Sequence, residues 1–156
     1  MKNKIVCLIP AAGKGTRSGL DYPKCLYKIN STPILIRIIK NIQEIDSKPT
    51  IVIQKKFLEL FLKNIKSYNF KVEILFQHKP LGMGNAILQF NKSKKISNCD
   101  ILLIWGDIPY IRKSTIKKLI KFHFKKNNDL TLITKHVKNP YTVVKRDLKN
   151  KIISVN

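Results

Sequence analysis

The hydrophobic residues of this chain fall into two kinds of segment, short nearly continuous runs and longer runs with helical spacing. The short runs are rich in Ile, Leu and Val and end at Gly, Pro or polar residues, which is typical of strands buried in a sheet. The five predicted strands are residues 4–9, 50–54, 70–77, 100–106 and 129–136.

Three other segments repeat their apolar residues every three or four positions, which predicts amphipathic helices. The first follows Pro33, whose fixed φ suits the start of a helix. The apolar positions are Leu35, Ile38, Ile39, Ile42 and Ile45; Leu58, Phe61, Leu62 and Ile65; and Ile116, Leu119, Ile120 and Phe124. Strands that alternate with helices predict an α/β fold, a mostly parallel sheet covered by helices on both faces.

The final segment alternates apolar and polar residues on both sides of a turn, which predicts a β-hairpin. Its strands are residues 141–146 and 151–155, joined by Leu148-Lys149-Asn150. No repeat, low-complexity tract or linker divides the sequence. Residues 1–156 are therefore interpreted as one domain.

The first predicted strand runs directly into a loop of small and cationic residues, Pro10-Ala11-Ala12-Gly13-Lys14-Gly15-Thr16-Arg17, and Lys24 follows seven residues later. Glycine allows φ > 0 and close approach of the backbone, so successive N–H groups can converge on a polyphosphate. Lys14 and Arg17 can neutralise its charge. The spacing differs from that of the P-loop and of GxGxxG. Taken alone, the loop could also be a tight turn that carries solvated cations.

Gln77 and Asp107 each lie at the carboxyl end of a predicted strand. Ligands of open parallel sheets bind beyond the carboxyl ends of the strands, so these residues and the glycine-rich loop are expected to line one crevice. A carboxylate beside a phosphate site suits Mg²⁺. The alternative is that Asp107 caps the turn before Pro109.

Three motifs together resemble the nucleotidyltransferase family that activates sugar phosphates. They are Ala11–Arg17 with Pro23-Lys24; Gln77 with Leu81-Gly82-Met83-Gly84-Asn85-Ala86; and Trp105-Gly106-Asp107. Within the family the chain is most similar to the uridylyltransferase half of the bifunctional N-acetylglucosamine-1-phosphate enzyme, over about the first two-thirds of the catalytic domain. The resemblance implies the three-layer, Rossmann-like sheet of nucleotide-diphospho-sugar transferases. It also implies an enzyme that transfers a nucleoside monophosphate, from UTP in those relatives, to a sugar-1-phosphate such as N-acetylglucosamine-1-phosphate, with release of pyrophosphate.

The resemblance further assigns roles to individual residues. Arg17 and Lys24 correspond to catalytic cations, with Lys24 at the α-phosphate, and Asp107 corresponds to a ligand of Mg²⁺. The family's second metal ligand corresponds to a position after Asn156, so the chain is expected to stop before the acceptor-binding part. The positions that correspond to nucleotide contacts are Pro10, Ala11, Ala12, Gly13, Lys14, Gly15, Thr16, Gln77, Gly82, Met83 and Trp105.

The chain departs from the family pattern at several of these positions. Met83 stands where threonine is usual, Pro80 where glutamine is frequent and Trp105 where tyrosine is usual, and Asn139-Pro140-Tyr141 lacks the glycines of a sugar-contacting passage. The choice between uridine and cytidine, and the acceptor, therefore stay open. One alternative is a cytidylyltransferase that acts on a phosphorylated alcohol. Another is a nucleotide-binding module without catalysis.

The chain is strongly basic, with a net charge of +22 and a pI near 10.1. Lysines outnumber arginines 27 to 4 and lie along every predicted helix, so we interpret the charge as a solvated surface that attracts nucleotides rather than nucleic acid. Cys7, Cys25 and Cys99 lack metal-ligand spacing, which is typical of a reduced, cytoplasmic protein. No apolar run reaches the ~18 residues of a membrane span. The expected partners are a nucleoside triphosphate and a phosphorylated small-molecule acceptor, with the oligomeric state left open.

Overall fold

The computed structural model describes residues 4–13, 15, 18–79, 81–140, 142–149 and 151–155. Within them the chain forms two compact units, residues 1–114 and 115–156. In chain order the first unit contains β1 (Lys4–Pro10), β2 (Lys28–Ile29), β3 (Thr32–Pro33), α1 (Ile34–Ile42), β4 (Thr50–Ile53), α2 (Leu58–Lys66), β5 (Glu73–Phe76), α3 (Met83–Leu88) and β6 (Cys99–Leu103). Helix α4 (Lys113–Lys126) begins at the boundary, and β7 (Val144–Arg146) and β8 (Ile152–Val155) follow it.

The main sheet of the first unit is parallel throughout, with the strand order β5-β4-β1-β6. In its register Leu8 lies opposite both Thr50 of β4 and Leu103 of β6. Strand β1 is central, and Val6 to Ile9 expose at most 1% of their surface, which explains its continuous apolar sequence. The prediction of an α/β fold with a parallel sheet is confirmed.

The hydrophobic core follows from the alternation of side chains along the strands. Val6, Leu8 and Val52 lie on one face and form a cluster with Ala86 of α3 and with Phe90. Helix α1 begins after Pro33 as predicted, and six of its nine residues are buried. The same apolar spacing places Phe61 and Ile65 of α2 in the interior. Each predicted helix is therefore present.

The predicted strand at residues 129–136 is wrong, because the structure gives this segment no strand pairing. Leu130 and Ile133, which the apolar run placed in a sheet, expose 71% and 52% of their surface. A strand exists only through hydrogen bonds to a neighbouring strand, and an apolar run does not supply that neighbour.

The predicted C-terminal hairpin is confirmed. Strands β7 and β8 pair antiparallel, with Val144 opposite Val155. Asp147 closes the turn, because its carboxylate accepts hydrogen bonds from the backbone N–H groups of Lys149 and Lys151 at 3.0 and 2.8 Å. In the described part of the chain, no helix is long and apolar enough to cross a membrane.

Candidate active site at the carboxyl edge of the sheet

The four parallel strands bring the segments that follow them to one edge of the sheet. These are the loop after Pro10, Gln54 after β4, Gln77 after β5 and Gly106-Asp107 after β6. Backbone bonds continue past the strand ends, since Gln77 N donates to Ile53 O at 2.9 Å and Ala11 N donates to Val52 O at 2.8 Å. The motifs singled out in the sequence therefore converge as predicted.

Gly106 lies directly against the end of β1. Its backbone N donates to Pro10 O at 3.2 Å, which continues the pairing of Ile104 N with Leu8 O at 3.0 Å. A Cβ added at Gly106 would lie 3.0 Å from Pro10 O and 3.2 Å from the Ala11 Cβ. A side chain here would push Pro10 or Ala11 away, so glycine favours this close contact, which places Asp107 beside the loop after β1.

Lys24 and Asp107 meet at this edge although 83 positions separate them in the sequence. The Lys24 Nζ lies 3.4 Å from the Asp107 Oδ2, and about half of each side chain is exposed, 51% and 50%. Lys24 opens a short 3₁₀ turn, Lys24–Leu26, in which Cys25 and Leu26 are buried. The buried neighbours anchor the turn and leave the cation and the carboxylate accessible to a ligand.

Cys25 follows Lys24 and exposes only 4% of its surface. Burial, with a further contribution from the charge of Asp107, raises the pKa of the Cys25 thiol to about 12. The thiol therefore stays protonated at neutral pH and is not a nucleophile for this site.

Two glycines of the glycine-rich loop, Gly13 and Gly15, differ in backbone conformation. Gly15 has a φ of +62°, and its carbonyl accepts hydrogen bonds from Ser18 N at 2.8 Å and Ser18 Oγ at 2.5 Å. Gly13 lies outside the positive-φ region, and in the described part of the chain, apart from its two neighbours in sequence, no atom lies within 4 Å of a Cβ added there. The expectation that glycine supplies φ > 0 thus holds for Gly15 but not for Gly13. Lys14, Thr16 and Arg17 lie outside the described residues.

Gln77 is 3% exposed, and its side-chain nitrogen donates to Gly82 O and to Asn85 Oδ1, both at 3.0 Å. Gly82, with a φ of +88°, is the N-cap of α3, and Met83 is 49% exposed. The Gln77 amide therefore ties the start of α3 to the end of β5. Its predicted contact with a pyrimidine base stays a prediction. Trp105 is half-buried in the turn before Asp107, and Pro80 lies outside the described residues.

Gln54 is a residue of this edge that the sequence analysis missed. Its Nε2 donates to Ala12 O at 2.6 Å, so it holds the backbone where the glycine-rich loop begins. The sequence did carry an indication, because Gln54 is a polar residue at the end of a continuous apolar strand, as Gln77 is. It went unnoticed because no motif contains it.

Among the described residues, no group of three or more His, Cys, Asp or Glu side chains could hold a metal ion. Asp107 is the carboxylate at this edge that the sequence analysis assigned to Mg²⁺. A single carboxylate fits Mg²⁺, because this ion keeps several waters and takes one or two carboxylates together with substrate phosphates.

The sequence model of the family described as the MobA-like NTP transferase domain matches residues 7–153, and so includes the loop, Gln77 and Asp107. The chain belongs to this family. The resemblance to nucleotidyltransferases that the motifs indicated is thereby confirmed.

Curated relatives of this MobA-like NTP transferase chain include the bifunctional protein GlmU of Buchnera aphidicola from Acyrthosiphon pisum, which is 39% identical over 99% of the chain. GlmU of Thermosipho melanesiensis is 35% identical over 94% of it. A protein of Acanthamoeba polyphaga mimivirus, named a probable UDP-N-acetylglucosamine pyrophosphorylase, is 27% identical over 90%. The chain spans 33%, 32% and 56% of the lengths of these three relatives.

Solved structures share the fold of this family member. The 4-diphosphocytidyl-2C-methyl-D-erythritol synthase of Anaerococcus prevotii superposes on 97% of the chain, and 62% of its own length, with a TM-score of 0.64 at 16% identity. A nucleotidyl transferase of Methanothermobacter gives a TM-score of 0.56 at 16% identity over 77% of the chain and 58% of its own.

Proposed function

We propose that the chain binds a nucleoside triphosphate at the carboxyl edge of the sheet and takes part in transfer of the nucleoside monophosphate to a phosphorylated acceptor. The observation that carries the proposal is the meeting of Lys24 and Asp107, 3.4 Å apart, beside the loop after β1. A cation and a carboxylate at one exposed point are the two groups that stabilise the phosphates of a nucleotide and its metal ion.

In the proposed reaction an oxygen of the acceptor phosphate attacks the α-phosphorus, and pyrophosphate leaves. The protein positions the reactants and stabilises charge, since phosphoryl transfer needs little covalent chemistry from side chains. Lys24 would stabilise the charge that develops at the α-phosphate. Backbone N–H groups of the glycine-rich loop, with Lys14 and Arg17, would hold the β- and γ-phosphates as the leaving group.

Asp107 would hold Mg²⁺, which would neutralise part of the charge on the phosphates when bound. The half-exposed carboxylate stands next to the end of β1, where those phosphates would lie. Lys24 would then exchange its present partner, Asp107, for a phosphate oxygen. The ion pair thus keeps both groups in place before the ligand arrives.

For the substrates we propose UTP and a sugar-1-phosphate, with N-acetylglucosamine-1-phosphate as the acceptor to test first. This choice is supported by the name of the mimivirus relative and by the Gln77 amide, whose Nε2 holds the start of α3. Both hydrogens of Nε2 are used within the protein, so the Gln77 Oε1 would accept a hydrogen bond from the pyrimidine edge. The cysteines Cys7 and Cys25, both buried as thiols, fit the cytoplasmic location that we propose.

Calorimetric titration of the chain with UTP, CTP, ATP and GTP in the presence of Mg²⁺ tests this proposal. We expect both pyrimidine triphosphates to bind more tightly than the purine triphosphates, and UTP more tightly than CTP. Tighter binding of ATP or GTP would contradict the pyrimidine assignment, and tighter binding of CTP would favour the cytidylyltransferase alternative. Binding of UTP without pyrophosphate release, even in a protein extended by the family's acceptor-binding part, would favour a non-catalytic module.

A further inference from the structure

We propose that Gln54 is a positioning residue that aims the backbone N–H of Gly13 at the β- and γ-phosphates of the nucleotide. Gln54 would act through the Ala12 carbonyl, without touching the ligand itself. The nature of the ligand in this inference rests on the proposed function.

The Ala12 carbonyl needs a hydrogen-bond donor. The backbone pairing of β1 with β4 ends with Ala11 N donating to Val52 O. The Ala12 carbonyl lies one residue beyond this last bond, and Ala12 is only 3% exposed. A buried carbonyl needs a hydrogen-bond donor. The Gln54 Nε2 supplies one at 2.6 Å.

Strand β4 holds Gln54 in place. All four residues of β4 are 0% exposed, and β4 is bonded to β1 on one side and to β5 on the other. The Gln54 side chain therefore extends from a rigid part of the sheet toward the loop. A contact from such a base fixes the orientation of the group that it holds.

The peptide unit between Ala12 and Gly13 carries both the Ala12 carbonyl and the Gly13 N–H. The unit is planar, and in the trans form its C=O and N–H point in opposite directions. No cis peptide is present in the described residues. When the Ala12 oxygen is held by Gln54, the Gly13 N–H is directed away from Gln54. Gly13 is exposed, and among the described residues, its chain neighbours aside, no atom lies within 4 Å of a Cβ added there.

Loss of the Gln54 donor would leave this peptide free to rotate about bonds that glycine makes soft. The Gly13 N–H would then meet the triphosphate in several orientations. The effect should fall on ligands that carry β- and γ-phosphates, because a monophosphate does not reach this part of the loop.

The variant to test is Gln54→Met, which keeps the length of the side chain and removes the donor. Gln43→Met is the matched control, since Gln43 is exposed at the end of α1. We expect Gln54→Met to weaken UTP binding by about tenfold, the size of one lost hydrogen bond, and to leave UMP binding unchanged. Gln54→His, which retains an N–H donor, should recover UTP binding. Equal losses for UTP and UMP would overturn the inference, since they would indicate a general structural defect.

Nuclear magnetic resonance of the nucleotide-free protein provides a test that does not depend on binding. We expect a scalar coupling across the hydrogen bond from the Gln54 side-chain nitrogen to the Ala12 carbonyl carbon. We also expect a shifted Gly13 amide resonance in Gln54→Met but not in Gln43→Met. An unshifted Gly13 resonance, or no coupling in the wild-type protein, would overturn the inference even if Gln54→Met does not fold. UTP binding that survives in Gln54→Met would overturn this inference alone, whereas a wild-type chain that binds no triphosphate would overturn the proposed function as well.

Discussion

The backbone N of Gly106 donates to the carbonyl of Pro10 at 3.2 Å, and the space between the two segments is too small for a side chain. A methyl group at Gly106 would meet Pro10 O at 3.0 Å and the Ala11 Cβ at 3.2 Å, and neither neighbour is the end of a flexible side chain. This contact joins the strand that carries Asp107 to the strand that carries the glycine-rich loop.

Gly106→Ala should therefore destabilise the protein, because the ends of β1 and β6 would have to separate. Overpacking of this kind costs about 1–3 kcal/mol. Thermal unfolding followed by circular dichroism measures the effect, with Gly84→Ala as the control, because a Cβ added at Gly84 meets none of the described residues outside its own helix backbone within 4 Å. A melting temperature of Gly106→Ala equal to that of the wild type would contradict the close contact.

Gly13→Ala should leave the melting temperature unchanged and weaken UTP binding. Gly13 has no positive φ, and none of the described residues beyond its chain neighbours comes within 4 Å of an added Cβ, so the melting temperature should not fall. If the space beside Gly13 belongs to the triphosphate, the added methyl group should weaken UTP binding by about tenfold or more through lost contacts with the phosphates. Parallel melting and calorimetric titration separate the two effects. Unchanged UTP affinity would exclude a close approach of phosphate at Gly13.

The sequence predicted the central sheet and the convergence of three motifs because both depend on local patterns. Continuous apolar runs such as Ile5 to Ile9 have few alternatives to a buried strand, and a parallel sheet then brings Gln77 and Asp107 to one edge. The contacts within that edge could not be predicted in the same way. Gln54 and Ala12 are 42 positions apart, and Lys24 and Asp107 are 83 apart. No periodicity relates residues at such distances, and strand pairing for residues 129–136 failed for the same reason.

Lys24→Ala should reduce turnover more than ground-state binding of UTP. In the proposed reaction the Lys24 cation faces the position where charge grows during attack on the α-phosphorus, so its contribution would be largest in the transition state. In an enzyme that carries the full catalytic domain, we expect kcat for pyrophosphate release to fall by about a hundredfold or more, with a smaller change in KM. Lys14→Ala, by contrast, should weaken triphosphate binding as well.

Lys28→Ala is the control for the Lys24 variant, since Lys28 is an exposed lysine on the nearby strand β2. It removes the same charge from the protein without removing a group at the carboxyl edge. Effects on KM alone for both Lys24→Ala and Lys14→Ala would show that the assigned roles are wrong.

The free energy of unfolding should decrease as the pH falls below about 4.5, because Glu73 then becomes protonated. Burial opposes ionisation of this carboxyl, but hydrogen bonds from Thr50 Oγ1 at 2.6 Å and Ser93 Oγ at 2.7 Å, with the charges of Lys95 and Lys48, outweigh it and lower the pKa from 4.5. A carboxyl with a lowered pKa stabilises the fold above its unfolded pKa and loses that contribution as the pH falls through the folded pKa.

Urea unfolding at several pH values between 6 and 3 measures this dependence on Glu73. Glu73→Gln should be less stable than the wild type at pH 6, and the difference should shrink below pH 4.5. The exposed Glu59 of α2 provides the control Glu59→Gln. A difference between Glu73→Gln and the wild type that stays constant from pH 6 to 3 would contradict this role of the carboxylate.

Asp107→Asn tests whether the carboxylate at the end of β6 serves a metal ion or a turn. Asparagine keeps the size and the hydrogen-bonding shape of aspartate, but it lacks the negative charge that a hard divalent cation requires. We expect the variant to lose Mg²⁺-dependent pyrophosphate release while its melting temperature changes little, and Asp129→Asn, a change at an exposed aspartate of the second unit, to be active. If Asp107 only caps the turn of Trp105 to Ile108, asparagine should serve almost as well. Near-normal release of pyrophosphate by Asp107→Asn at saturating Mg²⁺ would therefore remove the metal role of Asp107.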